Sequence, residues 1–123
     1  MSARVLIVED DPDLRGLLRT MLAMEGLDVD EAPHGRAALD SMQRRRPDLI
    51  LLDMRMPIMD GWAFCRELDR QGDRPKVIVL TAAADPAERA AEVRADGWLG
   101  KPFEYKALLT AVERVLRQVP YGS

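Results

Sequence analysis

The chain has few residues suited to covalent cross-links. It contains 123 residues and one cysteine, Cys65. A single cysteine excludes an internal disulfide, and its position within an apolar stretch favours a buried, unreactive thiol. The sequence must therefore hold its fold together by core packing, for which a chain of this length is sufficient.

The sequence predicts neither a membrane span nor a secretory leader. No apolar stretch is long enough to cross a bilayer, and residues 1–4 lead directly into a predicted strand. We therefore expect a cytoplasmic protein without a membrane partner. The net charge of −3, with 47% hydrophobic and 32% charged residues, is ordinary for a globular domain and disfavours direct nucleic-acid binding.

Lysine is scarce, with three lysines against fifteen arginines. A lysine at position 101 therefore stands out from a background of surface arginines. Lys101 precedes Pro102, and an X–Pro bond can be cis. We expect such a bond to hold the Lys101 amine in place.

Short apolar runs alternate with amphipathic segments along the whole chain. Runs rich in Val, Ile and Leu indicate strands buried on both faces. The predicted strands are Arg4–Val8, Asp28–Glu31, Leu49–Asp53, Lys76–Thr81 and Gly97–Gly100. A predicted helix follows each strand. The first is capped by Asp11, with Pro12 at its start and Gly26 at its end. The others are Gly35–Arg45, Gly61–Arg70, Pro86–Arg94 and Glu104–Gln118, and Pro120 and Gly122 stop the last one.

Five strand–helix repeats in this length predict one α/β domain, 1–123, with three layers. Right-handed crossovers place helices on both faces of a doubly wound parallel sheet. Ligand sites of such sheets lie beyond the carboxyl ends of the strands. Polar residues in the loops after each strand are therefore the candidates for a functional site.

Acidic residues follow two of the strands. Glu9 and Asp10 follow the first, and Asp53 ends the third. Each close pair of carboxylates repels by about 3 kcal/mol at ~5 Å, so the cluster needs a cationic partner. Without cysteine or histidine beside them, these hard oxygen ligands fit Mg²⁺ or Mn²⁺ better than zinc. Asp11 is interpreted as a helix cap only.

Asp53 is the candidate nucleophile, because a carboxylate can attack phosphorus and form an aspartyl phosphate. Positioning and charge neutralisation supply most of the catalysis in phosphoryl transfer. Lys101 would supply a second positive charge beside the metal ion. Thr81, at the end of the fourth strand, would supply a neutral hydroxyl donor.

Four motifs resemble the receiver domain of two-component response regulators. In order they are Val-Leu-Ile-Val-Glu-Asp-Asp at 5–11, Leu-Leu-Asp-Met-Arg-Met-Pro-Ile-Met-Asp-Gly at 51–61, Val-Leu-Thr-Ala at 79–82 and Lys-Pro-Phe at 101–103. Their combination across the whole chain is specific, although each alone would be weak. The resemblance implies a flavodoxin-like (βα)5 fold, with a five-stranded parallel sheet in the order 2-1-3-4-5.

The resemblance also implies a role for each site residue. Asp53 would accept a phosphoryl group from a phosphohistidine. Asp10, Asp53 and the backbone carbonyl of Arg55 would bind Mg²⁺, with Glu9 acting through water. Thr81 and Lys101 would contact the phosphoryl group. Movement of Thr81 would let Trp98 turn inward and change the face formed by the fourth helix, fifth strand and fifth helix.

A set of partners follows from the same resemblance. A sensor histidine kinase or phosphotransfer protein would donate the phosphoryl group, and a downstream partner or an output domain absent from this chain would read the switch. Whether the protein forms a homodimer stays open. The chain would not be an enzyme in the ordinary sense, since it would catalyse only its own phosphorylation and dephosphorylation.

Two features depart from the family pattern. The stretch from Thr81 to Lys101 is short, which predicts a short or irregular fourth helix. Arg55 lies two residues after Asp53, where family members vary. We hypothesise that its guanidinium pairs with Glu9 or Asp10 when phosphate and metal are absent, against the alternative of a solvent-pointing side chain.

Three other functions compete with the receiver interpretation. An aspartyl-phosphate hydrolase needs an acid two residues after its nucleophile, and Arg55 cannot act as one. A flavodoxin-type binding module needs a phosphate-cradling loop after the first strand, where Glu9, Asp10 and Asp11 would repel phosphate. A receiver-like interaction module that is never phosphorylated stays open, although the acids, Thr81 and Lys101 disfavour it.

Overall fold

The computed structural model describes residues 2–118 as a parallel sheet covered by helices on both faces. The strands are β1 Arg4–Val8, β2 Asp28–Ala32, β3 Leu49–Asp53, β4 Lys76–Thr81 and β5 Gly97–Gly100. The helices are α1 Pro12–Met24, α2 Gly35–Arg44, α3 Gly61–Gln71, α4 Pro86–Glu92 and α5 Tyr105–Leu116. The sheet order is β2-β1-β3-β4-β5 with every neighbouring pair parallel, which confirms the predicted fold.

Two apolar cores lie on opposite faces of the sheet. Side chains alternate between the faces along each strand, so Val5 and Ile7 join one core while Leu6 and Val8 join the other. The first core packs against α1 and α5, and the second against α2, α3 and α4. Cys65 is buried in the second core, where burial raises the pKa of its thiol to about 11.

The ends of α1 follow the sequence signals. The Asp11 side chain accepts hydrogen bonds from the amides of Asp13 and Leu14, and Pro12 opens the helix. At the other end Gly26 has φ 82°, and the amides of Gly26 and Leu27 bond back to Ala23 and Leu22. Glycine suits this left-handed closing position because it has no Cβ.

Other boundaries differ from the predictions by one or two residues. β2 continues to Ala32, α2 ends at Arg44, and α3 reaches Gln71. The final helix spans Tyr105–Leu116 rather than Glu104–Gln118. The predicted stop signals, Pro120 and Gly122, lie outside the described residues.

The fourth helix is short, as the compressed Thr81–Lys101 stretch predicts, but its predicted end at Arg94 is wrong. α4 ends at Glu92 because Arg94 adopts φ 54°. The amides of Arg94 and Ala95 then bond to the carbonyls of Ala91 and Ala90, which closes the helix. Arginine gives no sequence signal for such a cap.

Within residues 2–118, none of the helices is both long enough and apolar enough to cross a membrane.

Candidate functional site

The carboxyl ends of β1, β3, β4 and β5 bring the predicted site residues to one rim of the sheet. Glu9 and Asp10 follow β1, Asp53 ends β3, and Thr81 ends β4. Lys101 follows β5, and its amide donates to the Thr81 carbonyl at 2.7 Å. The Lys101–Pro102 peptide bond is cis, the isomer that the sequence analysis left open for this X–Pro bond.

Three carboxylates form a cluster at this rim. One oxygen each of Glu9, Asp10 and Asp53 lies within 4.8 Å of the others. Glu9 and Asp53 are buried, with exposed fractions of 1% and 7%, whereas Asp10 is exposed. Buried carboxylates this close together repel strongly unless a cation neutralises them.

Lys101 is the cation that partly neutralises the cluster. Its Nζ lies 2.6 Å from Glu9 Oε1 and 3.6 Å from Asp53 Oδ1. Burial alone would lower the pKa of Lys101, but the hydrogen bond to Glu9 and the charges of both carboxylates raise it above its usual value. Lys101 is therefore a fixed positive charge beside Asp53.

One ammonium does not compensate the cluster completely. Burial, followed by the negative charge of Glu9, raises the pKa of Asp53 to about 7 despite the opposing effect of Lys101. The Arg55 amide also donates weakly to Asp53 Oδ1, at 3.4 Å. The acidic cluster can therefore accommodate further positive charge.

The donor set fits a hard divalent cation. Carboxylate oxygens are the ligands that Mg²⁺ and Mn²⁺ prefer, and one exposed acid, Asp10, leaves the cluster open to solvent. The clustered group contains neither cysteine nor histidine among the described residues, so its chemistry does not suit zinc.

A cavity of about 360 Å³ lies beside the acids. Its lining residues are Asp53, Arg55, Thr81, Ala82, Ala83 and Lys101. The Thr81 hydroxyl accepts a hydrogen bond from the Ala83 amide at 3.1 Å. Thr81 as a whole is buried, with 5% of its surface exposed. The cavity thus combines a carboxylate, a hydroxyl and two cationic side chains, which is a suitable environment for a phosphoryl group.

The hypothesis that Arg55 pairs with Glu9 or Asp10 is wrong in this structure. Glu9 forms its ion pair with Lys101 instead. The guanidinium carbon of Arg55 lies instead over the Trp62 ring, 5.8 Å from its centroid. The alternative of an exposed arginine is closer to the finding, although the side chain has an aromatic neighbour.

Trp98 lies on β5 and is 47% exposed. Its strand neighbour is Val79 on β4, two residues before Thr81. Trp98, the predicted switch residue, therefore lies on the strand next to that of Thr81, the predicted hydroxyl donor. The Trp98 side chain is at the surface.

Sequence reasoning missed two residues that support the site. Arg15 on α1 donates to the Glu9 carbonyl at 2.8 Å and pairs with Glu31, which fixes the loop after β1. Trp62 on α3 supports Arg55. Neither contact has a local sequence signal, because each depends on side-chain directions set by the packed helices.

The sheet order and the acidic cluster define a flavodoxin-like α/β domain with its site at the carboxyl ends of the strands. The chain belongs to the response regulator receiver domain family, whose sequence profile matches residues 5–113. It is 41% identical over 120 residues to the response regulator MprA of Mycolicibacterium vanbaalenii, covering 96% of this chain and 52% of that protein. The chain thus spans about half the length of the curated relatives it matches.

Solved receiver domains share the fold. The receiver domain of a signal transduction histidine kinase from Syntrophus aciditrophicus matches with a TM-score of 0.89 and 36% identity, covering 99% of this chain and 96% of that one. The receiver domain of sensor histidine kinase PA1611 from Pseudomonas aeruginosa, solved with magnesium coordinated in its active site cleft, matches with a TM-score of 0.84 and 30% identity, covering 95% and 99%.

Proposed function

We propose that this receiver domain accepts a phosphoryl group on Asp53. The observation that carries the proposal is the placement of Asp53 in a cavity with Lys101 and Thr81, beside Glu9 and Asp10. An Asp53 carboxylate oxygen attacks the phosphorus of a phosphohistidine, and a P–O bond forms as the P–N bond breaks. The electron pair of that bond returns to the imidazole nitrogen, so histidine is the leaving group.

The residues of this chain prepare the transfer. Lys101 is held by Glu9 at the edge of the cavity, where its ammonium stabilises charge on the phosphoryl oxygens. Thr81 offers a hydroxyl without adding charge. Asp10, Asp53 and the Arg55 carbonyl would hold Mg²⁺, with Glu9 acting through water. The bound ion would neutralise charge on the attacking carboxylate and the phosphoryl oxygens.

Phosphorylation would change the shape of a surface that a partner protein binds. Once a phosphoryl oxygen attracts Thr81, the space that its side chain leaves admits the Trp98 indole, and the face formed by α4, β5 and α5 changes. A partner can bias this equilibrium only by binding one of the two states better. The proposal includes no turnover of an external substrate, so the domain is a signalling module and not an enzyme.

Family membership supports a sensor histidine kinase or phosphotransfer protein as the donor. The longer relatives support an output region as the reader, supplied either in the same chain or by a separate protein. The proposed location is the cytoplasm, where such donors present their phosphohistidine, and 1–123 is proposed as a single receiver domain.

Intact mass spectrometry tests the phosphoryl acceptor directly. We expect a gain of one phosphoryl group when the protein is incubated with acetyl phosphate and Mg²⁺. Asp53→Asn should abolish the gain, whereas Asp73→Asn, at a side chain 94% exposed, should keep it. A wild-type protein that gains no phosphoryl group under these conditions would instead support the interaction module that works without phosphorylation.

A further inference from the structure

Arg55 is a cation at the edge of the proposed phosphoryl site, at a position where family members vary. Arg55 lines the cavity of about 360 Å³ together with Asp53 and Lys101. Phosphorylation would place two negative charges where the Asp53 carboxylate carries one, while Lys101 is already bonded to Glu9. Arg55 is the other cationic side chain on this cavity among the described residues, so its position affects how firmly an anion is held.

The position of Arg55 is set by Trp62. The guanidinium carbon lies 5.8 Å from the indole centroid, within the range of a cation–π contact. Without this contact an exposed arginine samples many rotamers, and ordering it on an anion costs conformational entropy. The indole therefore restricts the rotamers of an arginine that lines the cavity before any anion arrives.

Trp62 is itself held at two points. It lies in the first turn of α3, directly after Gly61, whose amide bonds to the Met54 carbonyl at 2.9 Å. Its indole N–H donates to Glu92 Oε1 on α4 at 2.9 Å. Glu92 also pairs with Arg89 of the same helix at 2.9 Å, so its carboxylate is oriented from both sides.

These contacts form a continuous connection from the cavity to α4. We propose that Trp62 is a positioning residue: its ring holds Arg55 at the cavity to retain the phosphoryl group, and its bond to Glu92 couples that position to α4. The inference rests on the proposed function of Asp53. By thermodynamic linkage, a change of α4 that moves Glu92 alters anion affinity, and bound anion alters α4 in return.

A double-mutant cycle on anion binding tests the coupling. The probe is the beryllium trifluoride anion, a phosphoryl mimic, titrated at saturating Mg²⁺ and observed by ¹⁹F NMR, which needs no tryptophan signal. We expect Arg55→Met to weaken binding about fivefold and Trp62→Leu about threefold, the range of one exposed cation–π contact. The double variant should be no weaker than Arg55→Met alone.

Glu92 provides a test at a residue far from the anion. Glu92→Ala should weaken binding about twofold in the wild-type background and have no effect in Arg55→Met. Glu92→Gln is the matched control, because its amide oxygen can still accept the indole N–H, and it should bind like wild type. Equal effects of Glu92→Ala with and without Arg55 would overturn the proposed coupling.

Mg²⁺ affinity separates positioning from general damage. Arg55→Met removes a positive charge near the acids, so its Mg²⁺ affinity in the absence of the anion should rise about twofold while its anion affinity falls. A distorted site would lose both affinities. If Trp62→Leu folds poorly, Trp62→Phe replaces it: the ring remains, the bond to Glu92 is lost, and Glu92→Ala should then have no effect.

The outcomes distinguish this inference from the proposed function. If the wild-type protein fails to bind the beryllium trifluoride anion, both are overturned. Two results would overturn the role of Trp62 and leave the proposed role of Asp53 intact. In the first, the wild-type protein binds the anion and Trp62→Leu binds it equally well. In the second, the losses of affinity in Arg55→Met and Trp62→Leu add in the double variant.

Discussion

At the scale of single residues, Asp53 combines burial with two charged neighbours of opposite sign. Its carboxyl lies near Glu9 and 3.6 Å from Lys101. The raised pKa of about 7 shows that burial and the Glu9 carboxylate outweigh the ammonium. A proton and a divalent cation therefore compete for the same carboxylate near neutral pH.

The first prediction concerns stability against pH in the metal-free protein. The pKa of Asp53 is raised from 3.8 to about 7, so its contribution to stability is fully present below pH 3.8 and is lost as pH rises through 7. We expect this to cost on the order of 4 kcal/mol by pH 8, since one pKa unit corresponds to about 1.4 kcal/mol.

The measurement is urea unfolding of wild type and Asp53→Asn between pH 4 and pH 8, with EDTA present. Asparagine cannot ionise, so the difference in unfolding free energy between the two proteins isolates this carboxyl. The variant should become the more stable protein as the pH rises. A difference in unfolding free energy between the two proteins that stays constant from pH 4 to pH 8 would contradict the prediction.

At the scale of elements, the junction between β3 and α3 fixes the loop that follows Asp53. The Gly61 amide bonds to the Met54 carbonyl, and the backbone of α3 begins directly against that loop. A Cβ at Gly61 would lie 2.6 Å from Met54 Sδ and 2.8 Å from Met54 Cα. Glycine is needed here because two backbones approach closely.

The second prediction follows from that contact. Gly61→Ala should destabilise the fold by about 2–3 kcal/mol, because the added methyl overlaps backbone that cannot move freely. Gly16→Ala is the matched control: it lies inside α1 with nothing within 4 Å of the added Cβ, so alanine should stabilise by about 0.5–1 kcal/mol. Chemical denaturation measures both, and equal effects of the two substitutions would contradict this account.

The helix ends show which local features a sequence can specify. Gly26 closes α1 at φ 82°, and glycine at that position predicts the end correctly. Arg94 closes α4 with the same pattern of hydrogen bonds at φ 54°. No glycine marks that end, so the predicted helix continued two residues too far.

At the scale of the whole molecule, three separate strand ends supply the acidic cluster and its cation. β1 provides Glu9 and Asp10, β3 provides Asp53, and β5 leads to Lys101. Any ligand that joins these groups stabilises the packed sheet as a unit, because the groups are close together only in the folded chain.

The third prediction follows from that linkage. Mg²⁺ at ten times its Kd should stabilise the folded protein by about 1.4 kcal/mol, and raise the Tm by a few degrees. Asp10→Asn should reduce the increase, since Asp10 is an exposed member of the cluster whose loss leaves the core intact. Differential scanning calorimetry at constant ionic strength measures the effect, and an equal increase in wild type and Asp10→Asn would contradict it.

The sequence by itself determined the order of elements, the doubly wound class and the acids at the strand ends. Those properties depend on local patterns: apolar runs, the Asp11 cap, Gly26, and polar residues at or directly after the ends of β1, β3, β4 and β5. Adjacent motifs such as Glu9-Asp10 therefore identify site candidates without any coordinates.

Only the tertiary structure decided the partners of the charged side chains. Lys101 and Glu9 are 92 residues apart, and their contact at 2.6 Å exists because β5 and β1 end at the same rim. The position of Arg55 over Trp62, and of Trp62 beside Glu92, depends on how α3 and α4 pack on the sheet. Side-chain pairing of this kind is decided by three-dimensional distance and burial, which sequence spacing does not encode.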